Sequence, residues 1–561
     1  MTNSRDPEDR WANAAILYEP EAYAVTSPSL KGRQVAGHGF LRGFARHARV
    51  AEYVAAVSHH EAAARFVAEM RKSGQGRPAR TMAPHDAQSL AALGCLYRPD
   101  PVIGPHAWAR AASGDAAWSL CGITHTTASH AVTDAIVDWL VAPVQPWDAV
   151  ICPSTAVRAM VTTVLAAQAD YLQARFGGRR IVMPQLPVIP LGVAADELSI
   201  KDAERRQGRE SLGIGTEAVV VLFVGRLSFH AKAHPLAMYQ ALERASAGCE
   251  TALIECGWTA NDAVADAYAE AAAAACPSVR RIVIDGRMPA ATREAWAAAD
   301  VFCSLADNLQ ETFGLTPIEA MARGLPVVVS DWDGYRDTVR DGVEGFRVPT
   351  VMPGPGEGRD LAYRYAMGVD GYDRYCGFTS QLIAVDVEAA ADALRRLLRS
   401  APLRRQMGAA GAERVRTLFD WSVIIPRYQT LWAELAAERA QAKPMAPRPQ
   451  AWPARLDPFA AFAAYPTRPL TRSTLLQRTR AEADMVLQRW RLLAMVAFAE
   501  SIVPSIEECR AVLGGFETRP VRLVEEIERD FAGNRQAAIR RGLVWMIKMG
   551  VLAVAPESGR R

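Results

Sequence analysis

The sequence predicts an α/β protein built from two successive, doubly wound parallel sheets that face one another, followed by a mainly helical extension. Three observations predict it. Short apolar strand candidates alternate with helices of good apolar spacing through residues 14–193, and again from residue 218 onward. A proline-rich apolar connector, Pro184–Gly192 (PQLPVIPLG), separates the two sets. At 561 residues the chain is too long for a single core.

In the first set the expected strands are 14–18, 50–57, 95–97, 118–123, 149–152 and 181–183, with helices near 36–47, 129–141 and 156–176. In the second set they are 218–224, 251–256, 281–284, 301–305 and 327–330. Residues 352–381 change texture, with Gly and Pro followed by Tyr363, Tyr365, Tyr372, Tyr375 and Phe378. This segment reads as an insertion, either a lid or a surface packing element. Residues 385–418 and 421–439 are helical. The expected domains are 1–195, 196–420, a crossing helix at 421–440, a Pro/Ala-rich linker at 441–458, and a helical extension at 459–561. Residues 540–552 have the helix-then-strand texture of a winged-helix-like fold.

Bulk properties exclude some classes. A net charge of +3 gives no global argument for nucleic acid or membrane binding. Nine scattered cysteines without a C-x-x-C pair suggest reduced thiols and a cytoplasmic setting. The charged start MTNSRDPEDR has no apolar core behind it, so no signal peptide is expected. No apolar run reaches spanning length, so work on a membrane-linked substrate would proceed from the inner membrane face, by peripheral association.

The stretch Asp300–Gly334 (DVFCSLADNLQETFGLTPIEAMARGLPVVVSDWDG) reads as strand, loop, helix, strand, loop. Thr316-Pro317-Ile318-Glu319 has the form of a helix start, with Thr316 as cap and Glu319 three residues later. A helix N-terminus at the end of a parallel sheet attracts anions. The acids Glu311 and Glu319 flank it, which suits a ligand that also carries hydroxyl groups. The bland reading makes Glu319 a capping acid, but it leaves Glu311 and the small-residue loop Phe313-Gly314-Leu315 unexplained.

A second signal is Val224-Gly225-Arg226-Leu227-Ser228-Phe229-His230-Ala231-Lys232. Two cations follow the end of a buried strand, where ligands are met in such folds. Each alone reads as a solvated surface charge; together with the Glu pair they could neutralise a diphosphate. His230 and His234 have no carboxylate at suitable spacing, so no metal is expected. His125, in Cys121-Gly122-Ile123-Thr124-His125-Thr126, ends a strand of the first sheet and is either structural or cleft-facing. Lys31-Gly32-Arg33 to Gly37-His38-Gly39 opens the first helix. Its glycines 37, 39 and 43 do not make the dinucleotide fingerprint, and suggest backbone close to a ligand or to the facing domain.

These residues resemble the family-4 retaining glycosyltransferases of the GT-B fold, two facing Rossmann-like domains. The matching elements are Gly225-Arg226-Leu227…Lys232, the Glu311…Glu319 pair within ETFGLTPIEAMA, and the following GLPVVVS. Pro190-Leu191-Gly192-Val193, Ile151-Cys152-Pro153-Ser154 and the segment around His125 match more loosely. The resemblance covers residues 14–440. It implies sugar transfer from a nucleotide-diphosphate donor to a polysaccharide, glycolipid or other glycoconjugate, with no metal or other cofactor required and no nucleic acid partner. It further implies that Arg226 and Lys232 hold the donor phosphates and that Glu319 accepts from the ribose. Glu311 would contact the transferred sugar, His125 would approach it from the facing domain, and the backbone of Phe313, Gly314, Leu315 and Thr316 would meet phosphate or sugar. Gly225 and Gly32 would border the ligand.

The chain departs from the family pattern at two loops. Asp333-Gly334, preceded by Asp331-Trp332, stands where many relatives have a Gly pair, and the first-domain glycine loop is not a double Gly. Asp333 is therefore a candidate for substrate identity. Two other readings remain open: a phosphorylase or epimerase-like hydrolase on the same fold, and a non-catalytic nucleotide-sugar-binding regulatory protein.

Overall fold

The computed structural model describes residues 11–23, 32–177, 181–443, 446–448 and 452–556. The chain divides into two compact units, Met1–Trp452 and Pro453–Arg561.

The first unit contains two six-stranded parallel sheets. The first sheet holds β1 (Ala15–Leu17), β2 (Tyr53–Ala56), β3 (Ala79–Met82), β4 (Cys95–Tyr97), β5 (Ser119–Ile123) and β6 (Ala149–Ile151), in the order β3-β2-β1-β4-β5-β6. The second holds β7 (Val219–Val224), β8 (Thr251–Gly257), β9 (Arg280–Asp285), β10 (Val301–Ser304), β11 (Val327–Ser330) and β12 (Gly345–Val348), in the order β12-β11-β10-β7-β8-β9. Numbered within itself, each sheet has the same doubly wound order. The order reverses between β1 and β4, and between β7 and β10, and ligand crevices open at such reversals. Most strands are apolar runs buried on both faces, as parallel strands covered by helices must be.

Three sequence expectations are corrected here. Residues 181–183 form no strand; Gln185 and Val188 instead bridge to Ala149 and Cys152, so the connector runs extended along β6. The segment 385–418 is two helices, Val387–Arg399 and Ala401–Leu418, separated at Ser400, whose hydroxyl caps the second. Strands β3 and β12 were not anticipated: ARTM and GFRV carry arginines and lack an apolar run.

A fully buried ion pair ties β5 to β6. Arg110 donates to both carboxylate oxygens of Asp148, at 2.5 and 2.7 Å, and Asp148 also accepts the Leu120 N–H at 2.8 Å. Removing one partner of such a pair strands a buried charge, at a cost of roughly 3–5 kcal/mol. The pair fixes the two strands whose carboxyl ends carry His125 and Ser154.

The helix Trp421–Ala440 packs on the helix Gly32–His47. Its first residue occupies space that only glycines leave open: a Cβ on Gly43 or Gly192 would lie 2.6 Å from the Trp421 ring. Gly39 is also against this ring, and Gly37 against the Ala22 carbonyl. The glycine pattern in the first helix is therefore spent on packing. Gly32 is exposed at the helix start, where an added Cβ would meet nothing among the described residues, and Lys31 lies outside them.

Residues 352–383 form the insertion, entered and left through the antiparallel pair β13 (Thr350–Val351) and β14 (Ala384–Val385). It carries the helices Arg359–Ala366 and Tyr372–Ser380.

The second unit has its own core, including Leu476, Leu487, Val512, Leu513, Ile527 and Leu543. Besides helices it has a three-stranded antiparallel sheet, with β15 (Leu475–Arg478) between β16 (Val521–Leu523) and β17 (Leu552–Val554). The helix Gly533–Lys548 followed by β17 matches the helix-then-strand texture read at 540–552.

Candidate functional site

The second sheet's order reversal puts the loop after β7 beside the loop after β10. The first loop carries Arg226 and Lys232, and the second carries Glu311. Lys232 Nζ lies 2.9 Å from Glu311 Oε2. Their side chains are 35% and 14% exposed, so the pair is open at the lysine end. Burial disfavours the Glu311 anion, but Lys232 and the N–H groups of Thr312 and Phe313 outweigh it and hold the carboxyl below its usual range. Arg226, half-buried in the same loop, makes no hydrogen bond or ion pair among the described residues. Its charge reaches the Cys376 thiol, which burial pushes up to about 11.

Two residues that read only as a loop opening hold these loops together. Asn308 Nδ2 donates to the His230 carbonyl at 3.0 Å, and Asp307 Oδ1 accepts the His234 N–H at 3.1 Å. Burial pushes the Asp307 carboxyl up to about 7.

The helix after Glu311 runs from Leu315 to Ala322, with Gly314 at its cap. Gly314 has φ +84°, and a Cβ there would meet the Tyr335 ring at 2.0 Å, so conformation and space both demand glycine. The predicted capping box is absent: Thr316 lies inside the helix and no side chain caps it. Phe313 is buried against Phe419.

Glu319 does not join Glu311. It lines a separate cavity of about 180 Å³ near the interdomain connector, with Leu315, His38, Arg42, Arg46 and Trp421. Burial raises its carboxyl above the usual range, opposed by Arg323. Glu319 thus lines a cavity to which Glu311 does not contribute, a division that their spacing alone does not reveal. Gly225 supports the first loop, its N–H bonding the Cys256 carbonyl at 3.0 Å.

From the first sheet, His125 Nε2 lies 3.0 Å from the Pro99 carbonyl. A carbonyl only accepts, so the proton sits on Nε2. Burial lowers this imidazole to about 4, leaving a neutral ring whose Nδ1 can accept.

Asp333 is the non-glycine residue with positive φ, +47°, among the described residues. One carboxylate oxygen accepts from Ser154 at 3.4 Å; the other is buried without a partner. Burial, and then the Glu311 charge, drive its carboxyl well above the usual range.

Contacts not foreseen from the sequence close the cleft. Ser154 caps the helix Thr155–Phe176 and donates to the Thr312 carbonyl at 2.8 Å. At the same helix start, the Thr155 N–H and hydroxyl bond the Asp337 carboxylate at 2.6 and 2.8 Å. The insertion supplies another bridge: Tyr372 Oη is 3.2 Å from Thr126 Oγ1, and the Tyr365 ring stacks on His130 at 3.6 Å. A Cβ on Gly377 would crowd His230, so the inserted helix sits directly on the cation loop. The segment therefore touches loops of both sheets. The one available signal was its run of tyrosines.

Two sheets of identical doubly wound order, facing across a cleft and joined by a returning helix, define the GT-B arrangement. Residues 218–354 match the family model "Glycosyl transferases group 1", so the chain carries a domain of that family. A phosphatidyl-myo-inositol mannosyltransferase of Mycobacterium leprae is 36% identical over 143 residues, covering 25% of this chain and 28% of the relative. A D-inositol 3-phosphate glycosyltransferase of Corynebacterium diphtheriae is 29% identical over 233 residues, covering 41% and 46%. The chain thus spans less than half the length of either relative. Among solved structures, a glycosyltransferase from Rickettsia africae is 13% identical with a TM-score of 0.48, over 77% of this chain and all of that one. Anabaena HepE in complex with UDP is 15% identical with a TM-score of 0.48, over 76% of this chain and all of that one.

Proposed function

We propose that the protein is a retaining glycosyltransferase that moves a sugar from a nucleotide-diphosphate donor to a glycolipid, polysaccharide or other glycoconjugate acceptor. The observation that carries this reading is the Lys232–Glu311 pair beside the Leu315–Ala322 helix start, with Arg226 unpaired in the same loop. The two relatives named for phosphatidyl-myo-inositol and D-inositol 3-phosphate place inositol-containing acceptors first for testing. A lipid-linked acceptor of that class would bring the protein to the cytoplasmic membrane surface by peripheral association.

In this reading the pair is a resting arrangement. An arriving diphosphate draws Lys232 from Glu311, and Arg226 joins it. As the glycosidic bond breaks, negative charge builds on the diphosphate oxygen. The two cations and the free N–H groups of Leu315 and Thr316 meet that charge already oriented. The released Glu311 carboxylate accepts from hydroxyls of the transferred sugar, while the neutral His125 presents Nδ1 from the facing domain. Glu319, in its own cavity, accepts from the ribose. Closure by the Ser154, Thr155 and Tyr372 contacts excludes water and favours transfer over hydrolysis.

The test is turnover of a panel of nucleotide sugars with an inositol or inositol-phosphate acceptor, with product configuration read by the anomeric proton coupling. Transfer with the donor's configuration supports the proposal. An inverted product, or no release of nucleoside diphosphate from any donor, refutes it.

A further inference from the structure

Outside the cleft, the most unusual surface lies in the C-terminal unit. Leu492, Met495, Phe498 and Ile502 are 86, 78, 82 and 73% exposed. They follow one another over residues 492–502, across the end of the Ala483–Arg491 helix, the Ala494–Ala497 turn and the 3-10 turn Glu500–Ile502, as an exposed apolar stripe along the chain. Soluble surfaces rarely carry such contiguous apolar area without a use. It does not make up for a missing core, since Leu487, Val496, Leu513 and Leu543 of the same unit are buried.

The stripe has basic neighbours. Arg489 is exposed one turn before Leu492. Arg491 donates to the Pro504 carbonyl at 2.8 Å and lies over the Trp545 ring at 5.7 Å. Gly542 also packs on Pro504, so the Gly533–Lys548 helix runs beside the stripe. Its exposed residues there are Arg541, Val544 and Lys548. Glu500 is the exposed acid within the stripe. Residues 453–561 hold 17 Lys/Arg against 12 Asp/Glu, whereas residues 1–452 hold 47 against 49. The near-neutral total therefore hides a basic C-terminal unit.

We infer that this face docks on an anionic lipid surface, with Leu492, Met495, Phe498 and Ile502 entering the acyl boundary and Arg489, Arg541 and Lys548 meeting headgroup phosphates. An apolar stripe beside basic residues is what interfacial binding requires, since one signal alone gives marginal attachment. A nucleic acid would give the four apolar side chains nothing to bury against. A protein partner or a second copy would cover the stripe but would not call for the cations. The inference rests on the proposed glycolipid acceptor only for its purpose, which is to hold the catalytic unit where that acceptor lies.

The experiment is cosedimentation of the full-length protein with vesicles of phosphatidylcholine alone, or of equal parts phosphatidylcholine and phosphatidylglycerol. Binding to the anionic vesicles is expected to exceed binding to phosphatidylcholine by about tenfold or more, and to weaken with salt. The pair Leu492→Ser and Phe498→Ser is expected to reduce binding by about 10- to 100-fold, and Arg541→Glu with Lys548→Glu to abolish the anionic preference. All four side chains are exposed, so the melting temperature should not fall; a variant that melts early is replaced by Met495→Ser with Ile502→Ser. The inference is overturned if the wild type stays in the supernatant, if the Leu492/Phe498 variant binds as well as the wild type, or if the stripe proves to hold two copies together without lipid. Donor turnover with a water-soluble acceptor, measured in parallel without vesicles, separates the two claims. Vesicle binding without turnover refutes the enzyme reading alone, and turnover without vesicle binding refutes the docking face alone.

Discussion

At the residue scale, two carboxyls near the site stand protonated more readily than a free side chain. Asp307 titrates at about 7, from an ordinary 3.8, because burial disfavours its anion. The folded state therefore binds more protons than the unfolded state between about pH 4 and pH 7, and stability falls as pH rises through that window. Asp307→Asn, which can keep the His234 hydrogen bond, removes this loss. Its melting temperature relative to wild type should climb from about pH 4 to about pH 7, and a constant difference would refute the assignment. Asp333 combines a left-handed backbone with a buried, unpartnered oxygen. Asp333→Gly should raise stability by about 1 kcal/mol in denaturant melts, since glycine adopts that φ freely. Because Asp333 stands beside Glu311, the same change should alter relative kcat/KM among donor sugars. An unchanged donor ranking would remove Asp333 from the specificity account.

At the element scale, the insertion is the piece to probe. Tyr372 and Tyr365 hold it to Thr126 and His130 of the first domain, while Gly377 seats it on the His230 loop of the second. Tyr372→Phe with Tyr365→Ala should loosen closure and raise donor hydrolysis relative to transfer, measured as nucleotide release without acceptor. A fixed ratio of hydrolysis to transfer would reduce the insertion to surface packing. What the sequence revealed at this scale follows from pattern strength. Apolar runs such as VVVLFV (β7) and VFCS (β10) announce buried strands, and both were legible. The edge strands ARTM and GFRV carry arginines and leave no such pattern. The capping box failed because Gly314, at φ +84°, starts the helix early and leaves Thr316 inside it. The glycines of the first helix suggested close approach of backbone to something; for Gly39 and Gly43 that something is the Trp421 ring, which is distant in sequence and so invisible to local reading.

At the scale of the whole molecule, the site exists because two loops far apart in sequence leave the same order reversal of one sheet. Arg226, Lys232 and Glu311 were legible as members of two separate motifs; the Lys232–Glu311 ion pair, and the contacts of Ser154, Thr155 and Asp337 that join residues more than 150 positions apart, were not. The C-terminal unit carries its own core and a closed set of strand pairings. Residues 453–561 alone should therefore unfold in one cooperative transition by circular dichroism, and a broad, featureless melt would contradict that.

The central claim is that Lys232 and Glu311 form the donor site. Its most direct measurement is the initial rate of nucleoside diphosphate release by wild type, Lys232→Ala and Glu311→Ala with the donor that turns over fastest. Loss of one preorganised contact to developing charge should slow Lys232→Ala by roughly 100- to 1,000-fold, with melting temperature retained. Glu311→Ala should lose rate as well. If either variant turns over at the wild-type rate, the donor does not bind there.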